Sequence, residues 1–303
     1  AMLLGLTSTI LVLYVLISGI ITESFLGVDR LTTLRNLDRT TNHLNDRIDA
    51  LQRNANDWSS WDETYEFVTG NNPGYISDNL TDESMLSINI NLMVFINNER
   101  EVVYAKAVDL HADWQNSAIQ NFEDYTRTEE RFLRLLTTTP TSGFVMMGGE
   151  PMLIASRPIL HNDETGPSAG TLVWGQHINA DELSSIARSL RLSLNIFNSG
   201  AATLPDDVLS AQATLSPANL RTTRILSETS IAAYTYLNDI FGQPSLIIRL
   251  DQERSAYLAG RDALQLVLLV LGGTAILIGI IVLLMLERLF LVRVSHLNEQ
   301  IGA

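Results

Sequence analysis

At 303 residues the chain has room for two domains, and its 46% apolar content is that of an ordinary folded protein. A formal charge of −14, from 34 acidic against 20 basic residues, argues against nucleic-acid binding and against lying flat on anionic lipid. The absence of cysteine excludes thiol catalysis, and a core of this size does without disulfides.

The stretch from Met2 to Ile21 holds no charged residue, which satisfies the roughly 20 apolar residues needed to cross a bilayer core. A signal peptide is the alternative, but no Ala-x-Ala cleavage pattern follows. Ala1-Met2 reads as an expression remnant. Glu23 to Val68 reads as one long helix, interrupted at most once, which at 1.5 Å per residue is roughly 70 Å of helix. Its seam positions step by four and three: Leu37, Thr41, Leu44, Ile48, Leu51, Ala55, Trp58, Asp62, Tyr65. Such a narrow stripe must be covered by the chain's own domain or by a second copy. Two parallel protomers at the base, with the upper end packed on a globular domain, are the expected arrangement. Asp62 breaks the stripe and should be desolvated unless something pairs with it. It is either a structural carboxylate that sets register or a polar group aimed into a ligand pocket.

Gly70-Asn71-Asn72-Pro73-Gly74 stops the helix, and Tyr75 to Leu80 is irregular or a short helix. Period-two alternation then runs through Ile88, Ile90, Leu92, Val94 and Ile96, turns at Asn97–Arg100 and returns over Glu101–Lys106, a hairpin with one buried face. Arg127 to Leu136 is a short amphipathic helix. Gly143–Met147, Met152–Leu160 and Gly170–Ile178 are three further strands, giving an antiparallel sheet of five with the long helix on one face, an α+β module. Ala180 to Leu190 is predicted helical, with Asp181 and Glu182 suited to its N-terminus. Four shorter strands follow at Leu192–Phe197, Thr222–Leu226, Ile231–Tyr236 and Ser245–Leu250, either a second sheet or an extension of the first. Ser199 to Asn219 is a loop with one helical turn. From Asp251 the pattern is helical into a second uncharged run, Ala263 to Leu286, with Arg288, Arg293 and His296 beyond it placing that end on the cytoplasmic side.

The expected organisation is a first transmembrane helix at 1–22 and an extracytoplasmic domain at 23–260. Within the domain lie the long helix 23–68, the main sheet 86–178 and a smaller α+β extension 180–251. A second transmembrane helix at 261–287 and the start of a cytoplasmic signalling helix or HAMP-like segment at 288–303 complete it. The helical pattern is still running at Ala303, so an output module is expected beyond it.

Little suggests catalysis. Gly148-Gly149-Glu150 resembles the start of a cyclase signature, but Pro151 replaces the next acid and the stretch reads as a hairpin turn. The five histidines are scattered, with no metal-ligand spacing, and neither a nucleophile elbow nor a phosphate loop occurs. No catalytic residue, metal ligand or cofactor is expected. Arg157 precedes Pro158 in a predicted central strand, where a charge facing the helix needs an anionic partner. Asp62 could be that partner, as a plain ion pair or with a ligand inserted between them. The candidate ligand-binding set is Trp58, Trp61, Asp62, Tyr65, Arg157 and Trp174. His177 faces either a pocket or solvent.

Trp58, Trp61-Asp62-Glu63-Thr64-Tyr65 and Phe67-Val68 resemble the opening motif of the CHASE domains of type four. Ser142-Gly143, Ala155-Ser156-Arg157-Pro158-Ile159, Gly166-Pro167, Gly170-Thr171-Leu172 and Gly175 agree in order, so the resemblance covers roughly Asn36 to Gly260. It implies a PAS-like sheet of the Cache type in an extracellular sensory domain between two membrane helices. It also implies an attached HAMP, PAS, diguanylate cyclase, phosphodiesterase or histidine kinase module. Val294 stands near where HAMP usually has proline, so a plain signalling helix is equally compatible with the tail. The expected function is a receptor in the plasma membrane, acting as a parallel homodimer, that binds a small molecule and relays the change through its second span. A ligand-free dimerisation and spacing ectodomain, or a receptor for a periplasmic protein, are the alternatives.

Overall fold

The computed structural model describes residues 2–108, 112–178, 187–188 and 192–301. The chain divides into two compact units. The larger comprises Thr33–Arg224 and Ala232–Gln252; the smaller comprises Ala1–Thr32, Ile225–Ile231 and Glu253–Ala303.

Helix α1 (Met2–Ser59) supplies one wall of the larger unit, followed by α2 (Asp62–Val68), α3 (Tyr75–Asn79) and α4 (Asp82–Ser87). Strands β1 (Leu92–Asn97) and β2 (Val102–Ala107) come next, then α5 (Ala112–Thr128) and α6 (Glu130–Thr138). Strands β3 (Thr141–Met147), β4 (Glu150–Ile159) and β5 (Gly170–His177) complete a five-stranded sheet in the order β2-β1-β5-β4-β3. All four neighbouring pairs in this sheet are antiparallel. The α+β architecture read from the sequence is therefore present, with the long helix on one face of the sheet.

The heptad seam explains which face of α1 is buried. Leu37, Leu44, Leu51 and Ala55 are buried, and Ile48 and Trp58 pack beside them against Met93, Phe95, Leu153, Ala155, Leu172 and Trp174 of the sheet. This stripe is thus covered by the chain's own sheet along the larger unit. One expectation is corrected: the β1–β2 hairpin has no single buried face. Leu92, Val94 and Ile96 point to the opposite side, where Phe122 of α5 and Phe132 and Leu136 of α6 cover them. The expected strand start at Ile88 is also wrong, because Asn89 has a positive φ of 57° and the ladder begins at Leu92. Helix α5 went unread because its apolar residues are sparse. Gly170 sits where β5 approaches β1 so closely that a Cβ would lie 2.1 Å from the Ile96 carbonyl oxygen.

The four later strands are a separate sheet, with β6 (Ser193–Asn198), β7 (Arg221–Ile225), β8 (Ser230–Asn238) and β9 (Pro244–Glu253) in the order β6-β9-β8-β7. Helix α7 (Asp206–Gln212) lies between its first two strands. Ala233, Leu237, Leu246, Ile248 and Leu250 join the core that also holds the α1 seam. Strand β9 persists to Glu253, so the helical pattern expected from Asp251 begins later. The helix expected at 180–190 falls outside the described residues except at 187–188.

In the smaller unit, α8 (Ser255–Ile301) contains the one segment, among the described residues, that is long and apolar enough to cross a bilayer, Ser255–Arg288. Its N-terminus is capped from outside. Both carboxylate oxygens of buried Asp29, on α1, accept backbone N–H groups of α8, from Ala256 at 3.1 Å and Tyr257 at 3.0 Å. These are donors that a helix start otherwise leaves unsatisfied. Arg254 adds a second anchor: its Nη1 donates to the carbonyls of Ser227 and Glu228 at 3.1 and 3.0 Å, and its guanidinium lies 3.9 Å from the Tyr257 ring centroid. Gly260 faces Phe25 so closely that a Cβ would meet the ring at 2.2 Å.

Candidate functional site

The motif around Trp58 is where α1 gives way to α2. The last carbonyls of α1 are taken by donors from elsewhere: Thr64 Oγ1 donates to the Trp58 carbonyl at 2.8 Å, and the Leu160 amide to that of Ser59 at 2.9 Å. Trp61 is extended, with φ −91° and ψ 138°, and α2 starts at Asp62. The break resets the helical phase, which removes Asp62 from the buried seam. Trp58 stacks on Trp61 with centroids 4.8 Å apart and meets Trp174 edge-on at 5.4 Å. Trp174 is fully buried, and its indole N–H has no hydrogen-bond partner among the described residues.

The seam position would desolvate Asp62 unless something pairs with it, and the partner the sequence offers is Arg157; the structure pairs it with His161 instead. The Asp62 side chain is 47% exposed and its Oδ1 lies 2.8 Å from His161 Nδ1. The same oxygen accepts the Asn162 amide, while the Asp62 amide donates to Asn162 Oδ1, both at 3.2 Å. The hydrogen bond from His161, then that from the Asn162 backbone, holds the Asp62 carboxyl below its ordinary range. Tyr65 stacks on the His161 ring, with centroids 3.9 Å apart. Together these contacts clamp the start of α2 onto the segment leaving β4. His161 and Asn162 were not singled out in the sequence, because neither carries a period or a motif; only the fold brings them to Asp62.

Arg157 does face α1, as its position predicts. The β4–β5 register sets it opposite Leu172, on the face that Ala155 and Ile159 share. It is 6% exposed, and its one hydrogen bond among the described residues, Nη1 to the Ser156 carbonyl, is 3.0 Å long. Burial pulls the guanidinium below the ordinary arginine range. Among the described residues no carboxylate pairs with it. Instead it lines a cavity of about 470 Å³ with Gln52, Arg53 and Asn56 of α1, and with Pro140 and Pro158. This falls in the size range of small-molecule sites. Gln52 is oriented by Ser142, whose Oγ donates to Gln52 Oε1 at 2.8 Å. A neighbouring cavity of about 530 Å³ shares Arg53 and Asn56 and adds Trp61, Asn162 and Glu164.

Of the six candidates, the structure brings Trp58, Trp61 and Trp174 together as an aromatic stack, and Asp62 and Tyr65 together around His161. Arg157 stands in its own cavity. Gln52, Arg53 and Asn56, which line that cavity, carry no signal in the sequence: as polar residues flanking Leu51 and Ala55 they read as the solvent side of the seam. His177 is buried at 8% exposure, with Nε2 3.8 Å from Glu150.

Among curated proteins, the chain is 24% identical over 270 residues to the methanogenesis regulatory histidine kinase FilI of Methanothrix harundinacea. The match covers 88% of this chain and 29% of the length of that protein. Among solved structures, the periplasmic domain of LuxQ from Vibrio cholerae gives a TM-score of 0.49 at 14% identity, covering 73% of this chain and 98% of that one. The sensory domain of the Campylobacter jejuni chemoreceptor Tlp3 gives 0.47 at 11% identity, covering 79% and 99%. The model of the CHASE4 domain matches residues 43–196, just over half of the sequence and including both the α1–α2 break and the strand that carries Arg157. The chain therefore belongs to the CHASE4 domain family.

Proposed function

We propose that this chain is the extracytoplasmic sensor and membrane region of a receptor. Residues 23–260 lie outside, the apolar runs Met2–Ile21 and Ala263–Leu286 both cross the bilayer, and the basic residues after Leu286 face the cytoplasm. A small molecule binds between α1 and the main sheet and changes how α1 and α8 pack, and α8 carries that change to an output module in the longer protein. The kinship with a histidine kinase favours a kinase output over a cyclase or phosphodiesterase. The observation that carries the reading is Arg157, a buried cation aimed into a ligand-sized cavity on the face that α1 covers.

The relay rests on the capped start of α8. The Asp29 carboxylate ties the first amides of that helix to α1, and Arg254 ties the residue before it to the Ser227 and Glu228 carbonyls, so a displacement there passes into the span rather than being lost in a frayed first turn. Packed helices have discrete arrangements, and small shifts select between them. Val28 and Leu31 of α1 are exposed at 48% and 57%, and they offer a parallel partner its contact at the base.

The test is a thermal-shift screen of the whole chain in lipid nanodiscs against fractionated metabolites. A ligand at 100 times its dissociation constant adds about 2.7 kcal/mol of stability. A stabilising fraction that also alters spin-label distances at the start of α8 supports the receptor. A constant dimer indifferent to every fraction favours the ligand-free spacing ectodomain instead.

A further inference from the structure

We propose that the cavity between α1 and the β3–β4 end of the main sheet is a carboxylate site, in which Arg157 and Arg53 together hold the acid group of a small organic anion. The inference deepens the sensor reading: it rests on that reading for what binding does, not for the site itself.

Two guanidinium groups line this cavity, and among the described residues neither has a carboxylate within ion-pair distance. Arg157 is more than nine-tenths buried and, among the described residues, gives only one hydrogen bond, to the Ser156 carbonyl, although its fork carries five N–H donors. Among the described residues, Arg53 has no hydrogen bond and no ion pair. For Arg157 the lack of a carboxylate is unusual in a protein of 34 acidic residues against 20 basic ones, because buried charges are ordinarily paired. Fixing an arginine here without a carboxylate makes sense if the missing partner arrives from solution.

The remaining lining agrees on the chemistry. The Gln52 carboxamide oxygen is occupied by the Ser142 hydroxyl at 2.8 Å, so the group has its amide N–H₂ left to donate. Asn56 stands one turn further along α1, its carboxamide without a hydrogen bond among the described residues. Pro140 and Pro158 have no backbone N–H and contribute ring surface. The site is therefore rich in donors and walled on one side by carbon. Planar forks match a carboxylate with two parallel hydrogen bonds. The volume of about 470 Å³ and the two proline rings suit a carbon skeleton better than bare inorganic phosphate. Arg53 is exposed at the rim and Arg157 is buried at the floor, so one arginine recruits the anion and the other anchors it.

The experiment uses the whole chain in phosphatidylcholine nanodiscs at fixed ionic strength. Acetate, succinate, citrate and benzoate are titrated beside the neutral amides acetamide and succinamide, and beside inorganic phosphate. At least one carboxylate is expected to raise the unfolding midpoint, its matched amide is not, and phosphate is expected to be weaker. Arg157→Lys should weaken binding about tenfold or more, because an ammonium cannot make the two-bond fork. Arg53 is exposed, so Arg53→Gln should leave the ligand-free midpoint unchanged while weakening the same carboxylate. It decides the matter if the Arg157 variant does not fold. Equal response to acids and amides, no response to any acid at about 100 times a millimolar constant, or full affinity in Arg53→Gln would overturn the carboxylate site. A receptor that responds to a neutral metabolite keeps the sensor reading and loses this one. An acid that binds here without moving α8 does the reverse.

Discussion

Asp62 is bound to His161, at 2.8 Å, and not to Arg157. The carboxylate that the family motif places after Trp61 therefore works as a clamp between the α1–α2 break and the segment leaving β4, and Arg157 faces a cavity whose lining holds no acid among the described residues. The division of labour has a simple physical basis. A half-exposed acid costs little to hold beside an imidazole, whereas burying it against Arg157 would desolvate both partners.

The clamp has a pH signature. The folded carboxyl of Asp62 is held down by His161 and Asn162, so it contributes stability above the unfolded carboxylate value of about 3.9 and loses it as pH falls through the lower folded value. Asp62→Asn should lower the unfolding midpoint at neutral pH by a small amount, as expected of an exposed pair. The gap between the two proteins should close as pH falls below the unfolded carboxylate value and through the lower folded one. Unfolding curves of both across that range are the check, and a gap that is unchanged in acid would remove the charge from the explanation.

Tyr75 makes the opposite prediction at alkaline pH. Thr64 gives its one hydroxyl proton to the Trp58 carbonyl, so the Tyr75 hydroxyl is the donor in the 2.6 Å bond between them. Burial pushes the Tyr75 phenol up to about 12. Its contribution is therefore complete below the unfolded value of about 10 and is lost as pH rises through the folded one. Tyr75→Phe should cost about 1 kcal/mol at neutral pH. Between pH 10 and 12 the wild type should lose stability faster than the variant, which can be read from denaturant midpoints.

The aromatic stack should be unequal in its energetics. Trp174 is wholly buried, so Trp174→Ala should destabilise by about 3–5 kcal/mol. Trp61 is only partly covered, and Trp61→Ala should remove little beyond its ring contact with Trp58, about 0.5–1.5 kcal/mol. A double-mutant cycle at Trp58 and Trp61 by chemical denaturation isolates that contact.

Asp29 should matter at the membrane-proximal helix. Asp29→Ala removes the acceptor for the Ala256 and Tyr257 amides, a loss of about 0.5–2 kcal/mol for a helix cap, whereas Asp29→Asn should cost much less because Asn also caps. Hydrogen exchange at those two amides should accelerate in the Ala variant. Unchanged protection there would mean that other contacts hold the start of α8.

Local pattern alone was enough for much of this protein. The heptad seam from Leu37 to Ala55, the glycine turn at Gly148-Gly149, the five strands and the apolar run in α8 each repeat over short distances, and burial of a repeating face is a local property. Motifs in register were enough to mark the CHASE4 kinship. Tertiary structure alone decided the rest. Whether β1 had one buried face or two depended on α5 and α6 arriving from elsewhere in the chain. The helix broke at Ser60–Trp61 because Thr64 and Leu160 claimed the carbonyls of Trp58 and Ser59. The pairings Asp62–His161 and Asp29–Tyr257 span 99 and 228 positions. No periodicity reaches that far: a side chain's partner is set by which backbones the fold brings within hydrogen-bond distance, and that is a property of the packed whole.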